Sequence, residues 1–134
     1  MDDGEGRTIR FLSVDDIIEL HGDIIAQTGG EAGILNRGNL EFVVEFVRGQ
    51  ISSLGLDDPF QCTAYIVRGI IGGHPFVDGN KRTGLEAADI FLNNNGFLFN
   101  VTTEEGVQFS FRVARGEMDL QAIRNWLEDH SGKS

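Results

Sequence analysis

His74-Pro75-Phe76-Val77-Asp78-Gly79-Asn80-Lys81-Arg82-Thr83 is a polar, charged stretch set between two apolar segments. Ala64, Ile66, Val67, Ile70 and Ile71 precede it and stop at Gly72-Gly73; Leu85, Ala88, Ile90, Phe91 and Leu92 follow it. Both flanks repeat at helical spacing, which predicts two helices joined by this stretch. A plain connection between helices needs only a turn. This one carries an imidazole, a carboxylate, an amide and two cations.

The chemistry of the stretch follows from its place ahead of a helix. The residues after Gly79 open that helix, and its first N–H groups lack internal partners. The helix dipole favours an anion there. Gly79 allows close backbone approach, Asn80 adds a neutral donor, and Lys81 and Arg82 add charge suited to phosphate oxygens. Asp78 lies beside this anion site and is a natural ligand for Mg²⁺, which binds through one or two carboxylates plus phosphates. His74 carries an imidazole, a group suited to act as a general base that takes a proton from an attacking hydroxyl. Phe76 reads as an apolar anchor that fixes the loop in the core. Each residue also has a plainer role: His74 bonded to a backbone carbonyl, Asp78 as a helix cap, Lys81 and Arg82 as solvated charges.

Working outward, Ser13 with Asp16 three residues on forms a capping-box analogue. Val14, Ile17, Ile18, His21, Ile24 and Ile25 then form one buried stripe, stopped by Thr28-Gly29-Gly30. His21 on that stripe reads as a packed, hydrogen-bonded core histidine. Residues 29 to 38 are glycine-rich and read as a loop. A second helix is expected from about Asn39 to Gly49, and a third from Asp57-Asp58-Pro59. After the fourth helix, Asn94-Asn95-Gly96 is a stop and Phe97 to Val101 is short and extended. Thr102 or Thr103 caps a fifth helix that ends at Gly116. Asp119 caps a last one, with Leu120, Ile123, Trp126 and Leu127 inward. No strand pattern of useful length stands out. The expected fold is all-α: a single domain over residues 1–134, of about six helices, with residues 1–10 and 131–134 as flexible ends.

Composition excludes several classes. The net charge of −10, from 11 basic and 21 acidic residues, argues against direct nucleic-acid binding. No apolar run is long enough to span a membrane. Met1 to Arg10 carries Asp2, Asp3 and Glu5 and is unlike a signal peptide, so a cytoplasmic location is expected. Cys62 is the single cysteine and reads as a buried small hydrophobe. His21, His74 and His130 show no metal-ligand spacing.

The 74–82 stretch resembles the Fic/Doc superfamily signature, His-x-Phe-x-(Asp/Asn)-(Gly/Ala)-Asn-(Lys/Gly)-Arg, with every specified position filled. Ile17-Ile18-Glu19-Leu20-His21, Gly29-Gly30, Gly33-Ile34, Ala64 to Gly73, Phe91-Leu92, Gly96-Phe97 and Trp126-Leu127 are similar to Doc ("death on curing") toxins. Lys81 stands where AMP-transferring Fic enzymes have Gly, and Leu85 where they have a second Arg.

The resemblance implies a fold and a chemistry. It implies a Fic/Doc-like helical domain and a Mg²⁺/ATP-dependent protein kinase that moves the γ-phosphate to a Ser/Thr hydroxyl. The target it implies is a translation factor such as elongation factor Tu. It assigns His74 as base, Asp78 to the metal, Gly79, Asn80, Lys81 and Arg82 to the phosphates, and Phe76 as anchor. Protein adenylylation and a non-enzymatic interaction module are the competing readings. No Ser or Thr is followed four residues on by Glu, so the inhibitory-helix pattern of many Fic enzymes is absent. A separate antitoxin is therefore expected, and an acidic toxin suits a basic antitoxin segment. Leu35-Asn36-Arg37 after Ile34, where Doc toxins commonly have Arg-Asp, and Gly79 in place of the common Ala are departures from the Doc pattern.

Overall fold

The structure is a computed structural model and describes residues 9–133. Its elements run α1 (Val14–Thr28), α2 (Arg37–Leu54), α3 (Pro59–Val67), a π-turn (Arg68–Gly72), α4 (Asn80–Asn94), β1 (Phe97–Phe99), α5 (Thr103–Ala114), α6 (Leu120–Asp129) and β2 (Ser131–Lys133). The all-α expectation holds, with one small two-stranded ribbon added.

Local sequence sets most of the starts. Ser13 and Asp16 form a full capping box at α1, each side chain bonded to the other's backbone N–H at 3.0 Å. Asp58 caps α3 with Pro59 in its first turn. Thr102 and Glu105 repeat the capping box at α5, and Asp119 accepts from Ala122 N–H at α6. Each device satisfies donors that the first turn leaves open.

α2 is longer at both ends than the sequence pattern suggests. Asn36, not a residue near Asn39, is its cap, accepting from Asn39 N–H at 3.1 Å. Gly38 and Gly49 lie inside the helix, and it stops at Gly55, which adopts φ 67. An interior glycine costs only about 1 kcal/mol. The buried Leu40, Val44 and Val47 outweigh that cost.

The ends expected to be flexible are partly held. Ser131–Lys133 pairs antiparallel with β1, placing Phe97 opposite Lys133 and Phe99 opposite Ser131. Ile9 is buried, and Asn95 holds the backbone of Arg10 by accepting from its N–H (2.8 Å) and donating to its carbonyl (3.1 Å). Residues 1–8 and Ser134 lie outside the described residues.

α3 and α4 form the spine between two apolar clusters. One contains Ile17, Leu40, Val44, Ile66, Phe76 and Phe91. The other contains Val67, Leu92, Phe109, Val113, Ile123 and Leu127. Burying each such side chain contributes about 1.5–3 kcal/mol. α4 lies so close to the π-turn that a Cβ on Gly84 would fall 2.5 Å from Ile71 Cγ1. Among the described residues, no helix is long and apolar enough to cross a membrane.

Candidate active site

The stretch from His74 to Arg82 folds into an outer and an inner layer. The π-turn delivers its first residue: Gly73 N–H bonds Arg68 O at 3.2 Å, five residues back. His74 then adopts φ 54, a left-handed conformation that a non-glycine residue rarely takes. Its side chain is exposed and makes no hydrogen bond among the described residues. The plainer role of bonding a carbonyl is therefore not the one adopted here.

The inner layer is closed upon itself. Phe76 is fully buried, as expected of an anchor. His21 stacks on its ring, with centroids 3.8 Å apart and planes 4° from parallel. His21 Nε2 donates to the Asp78 carbonyl oxygen at 2.8 Å. A carbonyl only accepts, so this contact fixes the imidazole as its Nε2–H tautomer. The core-histidine expectation for His21 is correct, and its partner is the motif loop itself.

Asn80 departs from its expected use as a free donor. Its side chain is buried, accepting from Phe76 N–H (3.0 Å) and donating to Phe76 O (2.9 Å). This two-point clasp closes the loop, and Asn80 offers an anion its backbone N–H rather than its amide.

The outer layer is open. Asp78 is exposed and does not cap α4; Gly79 occupies that position at φ 78, with no side-chain cap. Asp78 Oδ2 accepts from Glu31 N–H (3.2 Å) and Oδ1 from Gly79 N–H (2.9 Å). These two backbone donors hold its carboxyl below the usual aspartate range. The N–H groups of Asn80, Lys81 and Arg82 have no partner among the described residues. Lys81 Nζ lies 4.9 Å from the Phe111 ring centroid, and Arg82 donates to the Thr28 hydroxyl at the end of α1.

His74, Asp78, Gly79, Lys81 and Arg82 line one cavity of about 250 Å³, with Gly29 and Ala114 among its walls. No group of three or more metal-ligating side chains occurs among the described residues. Asp78 is an ionised, pre-oriented single carboxylate, which fits a metal completed by phosphate oxygens and water.

Sequence reading missed the brace on this loop. Leu35 N–H (2.7 Å) and Asn36 N–H (2.9 Å) both donate to Pro75 O, and Val77 N–H donates to Gly33 O (3.1 Å). Residues between α1 and α2 thus pair with the motif, as the Ile34–Phe76 bridge also records. These bonds use backbone atoms only, and no residue type announces them.

An exposed imidazole, a carboxylate lowered by two backbone donors and an uncapped helix start meet on one small cavity. The Fic/DOC family model matches residues 11–92, most of the chain, and the chain belongs to that family. It is 29% identical to "Protein kinase doc" of Escherichia phage P1 over 120 residues, covering 89% of this chain and 94% of that protein.

Proposed function

We propose that this protein is a Mg²⁺/ATP-dependent protein kinase of the Doc type, a toxin acting in the cytoplasm on a Ser or Thr hydroxyl of a target protein. The observation that carries the reading is the shared cavity of His74, Asp78 and the uncapped start of α4. The name of the phage relative supports phosphate transfer over other chemistries. The target proposed from the Doc likeness is a translation factor such as elongation factor Tu, and the partner that silences the toxin is a separate antitoxin.

In this mechanism His74 accepts the proton of the target hydroxyl. The target oxygen forms a bond to the γ-phosphorus, the bond from that phosphorus to the β–γ bridging oxygen breaks, and ADP leaves. Asp78 would hold the metal, which when bound neutralises phosphate charge. The free N–H groups of Asn80, Lys81 and Arg82 and the two cationic side chains orient the phosphates and stabilise charge on the transferring group. His21, Phe76 and the side chain of Asn80 keep the loop in shape without touching substrate.

Adenylylation is the second reading, favoured by Gly79, which the AMP-transferring signature also allows. Against it stands Leu85 on the next turn of α4, where a second cation for terminal phosphates would sit. ATP labelled at the γ-phosphate or in the adenine ring, incubated with the protein and cell extract, separates the two. γ label on a protein is the expected result; ring label alone on a protein overturns the kinase reading.

A further inference from the structure

A Ser or Thr of a protein that reaches His74 brings its chain neighbours onto the surface beside His74. One flank of that surface is a groove of about 420 Å³, with α2 as one wall and the end of α3 and the π-turn as the other. Its near end is Gly73, the residue before His74. Asn39 of α2 ties the walls together there, its side-chain amide donating to the Gly73 carbonyl at 3.2 Å. Farther along, α2 lies directly on the π-turn, where a Cβ on Gly69 would overlap Val43. From Asn39 to Phe46 the α2 wall runs two helical turns, about 10 Å.

The lining is aromatic and cationic. Phe42, Phe46 and Tyr65 form a chain of rings, with successive centroids 5.9 Å and 5.0 Å apart. Arg68 continues it, its guanidinium carbon 5.7 Å from the Tyr65 ring centroid. Phe42 is 68% exposed and Phe46 36%, so a row of rings stands open to water beside the base. Aromatic residues and Arg are enriched where proteins meet, and Asp and Glu are depleted. This groove has that composition: no carboxylate lines it, in a chain with 21 acidic residues. Arg68 makes no ion pair among the described residues. Glu41 and Glu45 of α2 pair with Arg37 and Arg48 instead. A cation at an apolar groove with no internal counter-charge complements a carboxylate from outside. The groove between α1 and α4 differs on both counts: Asp16, Glu19 and Asp23 line it, and no motif residue does.

We infer that the groove between α2 and the π-turn docks the target protein, seating a large apolar side chain against Phe42 and Phe46 and a carboxylate on Arg68. The inference rests on the phosphotransfer reading and deepens it, by assigning where the substrate chain lies. An extended segment advances about 3.3 Å per residue, so the α2 wall is about three such residues long. In a continuous segment, the seated side chain is therefore about three residues from the accepting hydroxyl. Selection of the target falls to this groove, and the chemistry to His74 and the phosphate cavity.

The test uses Phe42→Glu and Arg68→Glu in the whole chain. Both positions are exposed, and neither lines the phosphate cavity. Each variant is given Mg²⁺, ATP labelled at the γ-phosphate and a dilution series of cell extract, and its affinity for Mg²⁺–ATP is measured separately. In dilute extract, the rate of labelling the target should fall at least about tenfold in each variant. It should recover toward wild type as the extract is concentrated, because docking and not turnover is impaired. ATP affinity should stay at the wild-type value and report an intact fold and phosphate site. Wild-type labelling in either variant leaves this face to a different partner and overturns the inference. A loss equal at every extract concentration, or one accompanied by lost ATP affinity, overturns it as well. Sedimentation adds a further outcome: a wild-type dimer that Phe42→Glu makes monomeric gives the face to a second copy of this chain and overturns the inference. In all these cases wild-type protein still transfers γ-phosphate, and only the docking surface is lost. Wild-type protein that labels no protein removes the kinase reading and the docking surface with it.

Discussion

α1 and α4 are both 15 residues long, pack side by side, and begin in opposite ways. The start of α1 is sealed by the Ser13–Asp16 capping box, and Asp15 and Asp16 in its first turn complement the helix dipole. The start of α4 has a glycine in place of a cap, no acidic residue in its first turn, and two cations there instead. Left alone, that arrangement is unfavourable: open donors and positive side chains meet the positive end of the dipole. It becomes favourable when an anion arrives. The difference separates a helix start whose donors are met within the chain from one whose donors are left open.

Substitutions can break this contrast, and the largest effect is expected on the open side. His74→Ala should reduce transfer by about 100- to 10,000-fold, the usual contribution of general base catalysis. Its thermal midpoint should stay near wild type, because the imidazole makes no hydrogen bond among the described residues. Full activity in that variant removes His74 from the mechanism.

The inner layer should respond in stability first. Asn80→Ala leaves Phe76 N–H and O buried without their clasp. At about 1–3 kcal/mol for each unmet group, a urea titration should show a loss of roughly 2–6 kcal/mol. A loss below about 0.5 kcal/mol would mean that the loop holds its shape without the clasp.

On the sealed side, Ser13→Ala should cost about 1 kcal/mol of stability and leave activity per folded molecule unchanged. An effect on ATP affinity would show that the two helix starts are not functionally separate.

The smallest effect sharpens the role of Asp78. Its carboxyl is lowered by two backbone donors, so its ionised form stabilises the fold above the ordinary aspartate range near 3.9. That contribution is lost as pH falls through the lowered folded value. The stability difference between wild type and Asp78→Asn should therefore be present at neutral pH and close in acid. A difference that persists unchanged at low pH would point to the hydrogen-bond geometry rather than the charge.

What was legible in the sequence was local. Ser13, Asp58-Pro59 and Asp119 announce helix starts because a cap and its partner lie within three residues. The motif was legible because its reactive side chains are contiguous. Less was legible where partners are distant or lack side chains. Nothing in Ser131–Lys133 points to β1, more than thirty residues away. The 33–36 backbone binds Pro75 and Val77 through atoms every residue has. The clasp by Asn80 inverts a reasonable reading: an amide beside an anion site looks like a ligand donor until its burial is known.

The π-turn has a further consequence, for insertions and deletions. A wide turn holds one residue more than an α-turn closed over the same gap. Removing one residue from 68–72 would leave a regular helix that can form without difficulty. Yet each residue of an α-helix advances the chain by about 100° around the axis. The residues that follow, His74 and the buried Phe76 among them, would swing by that angle. The length of this turn, and not only its composition, therefore sets where His74 stands relative to the start of α4.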